Sequence, residues 1–277
     1  MVYVFRDRAI CLVNLVVGMS FISVGPATFH LYGFLIGLGV LAAAEVAERV
    51  RRKLAAKDKE WREVSVWDSL IWVVAGGLIG ARLYHVIDWW DYYWLHPGEI
   101  IMLWRGGLGI FGGILGGVIG LWIYSRSKKK LLMMLDLAGL GLPLGQAIGR
   151  WGNYFNQELY GLPFDSAQGE PPFWAIYIKP ENRLLSVIDF ERFHPLFLYE
   201  SLWMIITFII IIKIIKNNKL KIGSGMVFAT YLGFYGFGRF FLEWLRIEAW
   251  LINGVNVAQA ISLGLILSAL GFIMWRK

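Results

Sequence analysis

Several charged side chains stand where charge is expensive. Arg82 falls in the middle-to-outer part of an apolar stretch. Arg150 closes another, Glu200 lies in the first turns of a third, and Arg239 and Glu243 sit near the end of a fourth, with Arg246 one turn beyond. A charge at the bilayer centre costs at least about 2.5–3.5 kcal/mol, so such residues face a protein interior, pair with one another or serve a function. Arg239 and Glu243 are four apart and share a helix face, which permits an ion pair as well as a site. Arg150 opens the run Arg150-Trp151-Gly152-Asn153-Tyr154-Phe155-Asn156-Gln157-Glu158, unusually polar for the end of an apolar span. A polar helix end at an interface explains part of it. The convergence of Arg150, Asn153, Asn156 and Glu158 points further. Two arginines at one depth on different spans can grip a phosphodiester bidentately, and a phospholipid headgroup is the anion available there.

The elements that must position these groups follow from composition. Of 277 residues, 57% are hydrophobic and 17% charged, and the mean hydropathy is +0.57. Soluble domains carry about 45–50% apolar and about 25% charged residues. The apolar excess gathers into stretches of about 20 residues, the length that crosses a hydrocarbon core. The sequence therefore predicts an all-α polytopic membrane protein of about seven transmembrane helices. The spans are placed at 29–46, 69–87, 108–124, 132–150, 196–215, 225–242 and 255–275. One membrane domain is expected over residues 1–277, with a small extracytoplasmic cap at 151–195 between the fourth and fifth spans. Turns are expected at Gly161-Leu162-Pro163 and Gly169-Glu170-Pro171-Pro172, and a short strand within Trp174–Lys179.

With seven spans, the basic residues after the first, third, fifth and seventh all fall on one side. That side is cytoplasmic by the positive-inside rule, which places the N-terminus outside and the C-terminus inside. The net charge of +7 is thereby read as orientation, and no nucleic acid partner is expected. The single Cys11 excludes an internal disulfide. The histidines His30, His85, His96 and His194 lack ligand spacing, so no metal is expected, and no cofactor. Residues Ala9–Val24 read as an interfacial arm in preference to an eighth span. Gly76, Gly77 and Gly80 suit close helix packing. The run Gly106–Gly113 fits either a broken helix or a backbone anion site.

Taken together, these motifs resemble the bacterial prolipoprotein diacylglyceryl transferases over nearly the whole chain. The resemblance rests on Ser23-Val24-Gly25-Pro26 with His30-Leu31-Tyr32-Gly33, on Gly80-Ala81-Arg82-Leu83, and on Leu103-Trp104-Arg105-Gly106-Gly107 with Gly112-Gly113. Its most specific part is Gly149-Arg150-Trp151-Gly152-Asn153 continuing to Gly161. His194-Pro195 with Tyr199-Glu200, Gly238-Arg239 through Arg246, and Gln259 with Ser262 complete the order. It implies transfer of the diacylglyceryl group of phosphatidylglycerol to the lipobox cysteine of a prolipoprotein at the bacterial inner membrane. A thioether forms and glycerol phosphate leaves. Arg150, Arg239 and Glu243 become the expected catalytic residues. Asn153, Tyr32, Arg246, Glu158, Asn156, Gly161, His30, Arg82 and Glu200, together with Arg150, become the expected substrate contacts. Glu158 and Glu243 are expected to orient the arginines or the glycerol hydroxyls. Many members carry a histidine in the third-span glycine motif, proposed as a base, where this chain has Phe111. A base is then sought in Glu243, Glu200 or His194, or none is needed. The alternatives are a membrane transporter or a lipid-binding membrane protein without transferase activity. No repeat between the halves supports the first.

Overall fold

The computed structural model describes residues 15–17, 21–24, 27–103, 106–165, 169–217 and 220–276. Among these, seven helices run sixteen residues or longer: α1 (Leu31–Ala55), α2 (Val66–Asp88), α4 (Ile110–Ser125), α5 (Lys128–Gly149), α7 (Leu196–Lys216), α8 (Met226–Leu242) and α9 (Val257–Arg276). Two short helices join them, α3 (Trp90–Leu95) and α6 (Trp151–Asn156). Five of the spans are long and apolar enough to cross a membrane, the third running through α5 and α6, while α4 is apolar but shorter. The seven expected spans match the seven long helices to within a few residues, except where α1 continues to Ala55 past the expected end at Val46.

The first described elements form an antiparallel meander, β1 (Leu15–Val17), β2 (Phe21–Val24) and β3 (Ala27–His30), in which Val24 pairs with both Leu15 and Ala27. These strands are too short to cross a bilayer, so the described part of Ala9–Val24 is not an eighth helical span. Residues 9–14 and 18–20 lie outside the described residues. The meander also takes Phe29 and His30, which the sequence assigns to the first span.

The fold comprises two compact units. The described parts of Met1–Ala43, Gly139–Leu220 and Phe228–Lys277 make the first, and Ala44–Ala138 with Lys221–Val227 the second. In the second unit, α2 and α4 meet backbone to backbone. A side chain on Gly76 would strike the carbonyl of Gly116, and one on Gly80 that of Gly112. Glycine at these positions removes the bulk that would hold the helices apart. A separate core of Ala47, Trp61, Val64, Met133, Met134 and Leu137 closes this unit. Fully buried Asp136 accepts hydrogen bonds from the amides of Gly223 (2.7 Å) and Gly225 (2.9 Å).

In the first unit, α1 and α5 approach at Gly39 and Gly145. The segment after α6 folds back on itself: β4 (Ile176–Tyr177) pairs with β5 (Arg192–Phe193), with β4 inside the window where a strand was expected. Tyr160, Ile178, Val187 and Phe193 form its small core. The Tyr160 hydroxyl accepts from the Leu184 amide (2.7 Å) and donates to the Asn182 carbonyl (3.1 Å). Burial pushes this phenol's pKa above its ordinary value. The hairpin β6 (Leu251–Ile252) and β7 (Val255–Asn256) turns through Asn253 and Gly254, both with positive φ, as a type I′ two-residue turn requires.

Candidate functional site

The expected arginines converge in the first unit. Arg150 joins α5 to α6 with helical dihedrals. Glu200 sits in the second turn of α7, and Arg239 in the last turn of α8. Glu200 bridges two arginines: one carboxylate oxygen meets Arg150 Nε at 2.6 Å, the other Arg239 Nη1 at 3.4 Å. Arg239 Nη2 reaches Glu243 at 2.6 Å, and Arg246 lies 3.9 Å from the same Glu243 oxygen. The second Glu243 oxygen accepts from Asn256 Nδ2 at 3.5 Å. The result is an alternating chain, Arg150, Glu200, Arg239, Glu243, Arg246, gathered from three separate stretches of sequence. Its centre is buried: the Glu243 side chain is 2% exposed, while Arg150 and Arg246 at the ends are 29% and 27% exposed. Burial, then the positive charge of Arg239, lowers the pKa of the Arg246 guanidinium.

Local sequence explains the close approach. Gly238 leaves room for the Trp203 ring, which stands where a side chain would be, and the Trp203 indole donates to the Phe234 carbonyl (2.8 Å). That contact holds α7 against α8, about one turn from both Glu200 and Arg239. Gly152 likewise admits the Tyr32 ring, placing Tyr32 beside α6. Trp151 and Tyr154 pack on Phe197, with ring centroids 5.3 and 5.0 Å apart.

Other expected residues make contacts of their own. The Glu158 carboxylate accepts from buried Asn153 Nδ2 at 2.9 Å, across the turn after α6, where Gln157 and Leu159 adopt positive φ. Asn156 ends α6 and is half-buried. Gly161 donates its amide to the His194 carbonyl (2.9 Å), and its missing side chain makes way for His194 and Leu245. His30 is exposed at the end of β3. His194 stacks on Phe164 (4.1 Å) and its Nδ1 lies 3.2 Å from the Tyr199 hydroxyl. Burial lowers its pKa below the ordinary 6.5.

Arg82 belongs to the second unit and is already satisfied. Its guanidinium donates to the carbonyls of Ile100 (2.7 Å), Gly106 (2.8 Å), Gly107 (3.0 Å) and Glu99, and it lies over the Tyr93 ring. Positive φ at Gly106 and Gly107 accompanies carbonyls turned toward Arg82. The glycine run therefore cradles a cation rather than an anion, and α4 begins only at Ile110. Trp104 and Arg105 lie outside the described residues. Phe111 is half-exposed in the first turn of α4 and packs on Tyr84.

Sequence reasoning passed over Gln146, Trp203 and Tyr235, which line a crevice with Arg150, Glu200 and Arg239. Trp and Tyr sit readily in a span, and a lone uncharged Gln gives a weaker signal than a charge.

These helices and this buried ion-pair chain define a multi-pass membrane protein whose polar site lies at one end of α5, α7 and α8. A family model described as prolipoprotein diacylglyceryl transferase matches residues 19–275, and the chain belongs to that family. It is 38% identical over 256 residues to the phosphatidylglycerol–prolipoprotein diacylglyceryl transferase of Fervidobacterium nodosum, covering 91% of this chain and 83% of that protein. The Listeria welshimeri protein of the same name is 38% identical over 259 residues (92% and 88%). The Nostoc sp. protein is 35% identical over 262 residues (93% and 89%).

Proposed function

We infer that this chain transfers the diacylglyceryl group of phosphatidylglycerol to the thiol of a lipobox cysteine in a prolipoprotein. The observation that carries the reading is the charge balance of the buried chain. Three guanidiniums face two carboxylates, leaving one positive charge, which one phosphodiester anion neutralises.

The chemistry suits that field. The cysteine sulfur bonds to the glycerol carbon of the diacylglyceryl group, and the bond from that carbon to the phosphate oxygen breaks. Its electron pair goes to the leaving glycerol phosphate, and the thiol proton balances the new phosphomonoester charge. Negative charge gathers on the phosphate as the bond breaks, so guanidiniums fixed beside it stabilise the transition state more than the ground state. Arg150 and Arg239 take this role, with Arg246 supporting. Asn153 and Tyr32 border the headgroup. Glu200 and Glu243, two of the three candidates for a base, are engaged by arginines and act by holding them. No dedicated base is required: a thiol of pKa about 8.5 is a few per cent ionised near neutral pH, and a positive field raises that fraction.

The segment 151–195 forms the extracytoplasmic cap of one membrane domain in the bacterial inner membrane. The N-terminus lies outside and the C-terminus in the cytoplasm, as the loop charges favour. Phosphatidylglycerol and lipobox peptides are the partners; nucleic acid is not one. The test supplies detergent-solubilised protein with phosphatidylglycerol labelled in its diacylglyceryl group and a lipobox peptide. Wild type labels the peptide and Arg239→Ala does not. An unlabelled peptide with wild type removes the reading and leaves transport or lipid binding.

A further inference from the structure

Gln146 lies one turn before Arg150, whose amide donates to the Gln146 carbonyl (3.0 Å), so both share one face at the end of α5. The crevice they line with Glu200, Tyr235 and Arg239 has a volume of about 20 Å³. That space takes a water molecule or a hydroxyl group. Among the described residues, two buried side-chain atoms have no hydrogen-bond partner, Gln146 Oε1 and Glu243 Oε2. Glu243 Oε2 faces Arg239 Nη2 at 2.6 Å as an ion pair. Gln146 Oε1 is therefore the acceptor without a counterpart. Buried acceptors are almost always satisfied, so this one is set for a donor that arrives from outside the chain.

A phosphodiester is common to all glycerophospholipids, so the arginines cannot distinguish headgroups. An acceptor in a hydroxyl-sized crevice can. A site built to bond a substrate hydroxyl discriminates against the analogue lacking it, because its own polar atom is left unpaired. We propose that Gln146 is the specificity-determining residue of the lipid site, its Oε1 accepting a hydrogen bond from a glycerol hydroxyl of the phosphatidylglycerol headgroup. The proposal rests on the transferase reading and names the donor lipid's recognition within the same site.

The experiment compares purified full-length wild type, Gln146→Met and Gln146→Glu on phosphatidylglycerol and on phosphatidylpropanol, which keeps the phosphodiester and lacks the headgroup hydroxyls. Wild type should favour phosphatidylglycerol by about tenfold or more in kcat/KM, the worth of one well-placed hydrogen bond. Gln146→Met should lose about that factor on phosphatidylglycerol and nothing on phosphatidylpropanol. Gln146→Glu keeps an acceptor oxygen but adds a carboxylate beside the arginines, so it should slow transfer from both lipids alike and retain the preference. Equal use of both lipids by wild type overturns the proposal whether or not the variants fold. An equal loss on both lipids by Gln146→Met overturns it in favour of a structural role, and an unchanged preference does so in favour of a bound water. Transfer from neither lipid by wild type is a different failure, that of the transferase reading, and takes the proposal with it.

Discussion

Replacing Arg239 by lysine keeps the charge and removes the geometry. The Arg239 guanidinium uses two different nitrogens, Nη1 toward Glu200 at 3.4 Å and Nη2 toward Glu243 at 2.6 Å. A lysine ammonium is one atom on a flexible stem and cannot present the same planar fork. Whichever carboxylate it chooses, the other loses a charge-assisted bond worth about 1.5–3 kcal/mol. Glu243 is the more costly one to abandon, being 2% exposed with Arg246, at 3.9 Å, as its remaining cation among the described residues. If that loss falls on the transition state, kcat/KM drops by roughly ten- to one-hundred-and-fiftyfold. Arg239→Ala removes the anion-stabilising donor as well and should cost on the order of 10²–10³ more. The assay is peptide lipidation at varied phosphatidylglycerol, with the folded fraction checked by size-exclusion chromatography. If Arg239→Lys keeps a third or more of wild-type kcat/KM, a point charge is enough and the bridged geometry has no catalytic weight.

Three other outcomes follow from the packing. Gly116→Leu places a side chain against the Gly76 carbonyl and should force α2 and α4 apart, lowering the melting temperature in detergent by about 2–12 °C, as an overpacking cost of about 1–3 kcal/mol implies. Asp136→Ala leaves the Gly223 and Gly225 amides without the acceptor they share, so limited proteolysis near residues 220–226 should accelerate severalfold with the catalytic constants preserved. His194 is held neutral by burial, its folded pKa lying below 6.5. Its contribution to stability is thus complete above about pH 6.5 and is lost as pH falls from there to the folded value; thermal stability should decline from pH 7 to pH 5, and less steeply in His194→Gln.

Much of this architecture is legible in the sequence because a bilayer allows few solutions. A stretch of about 20 apolar residues must be a helix, so seven spans could be placed nearly to their ends. The Arg239–Glu243 pair was readable from its spacing alone. The bridge through Glu200 was not: it joins Arg150 and Arg239, both far away in sequence, and nothing local tells which arginine a carboxylate will meet. Arg82 shows the opposite failure. Its cost in an apolar span signals importance, but the cost is met by the carbonyls of residues 99, 100, 106 and 107, a loop whose path depends on two left-handed glycines. The meander at residues 15–30 escaped because its strands are only three or four residues long and share their apolar character with a membrane span.

The most direct measurement is the stoichiometry of the reaction itself. Purified protein is given phosphatidylglycerol and a lipobox peptide. Glycerol phosphate release is followed beside the mass of the peptide, with a Cys→Ser peptide as control. The account predicts one glycerol phosphate for each diacylglyceryl thioether, no product with the serine peptide, and loss of both signals together in Arg150→Ala. Release of glycerol phosphate without peptide modification, or modification of the serine peptide, would contradict it.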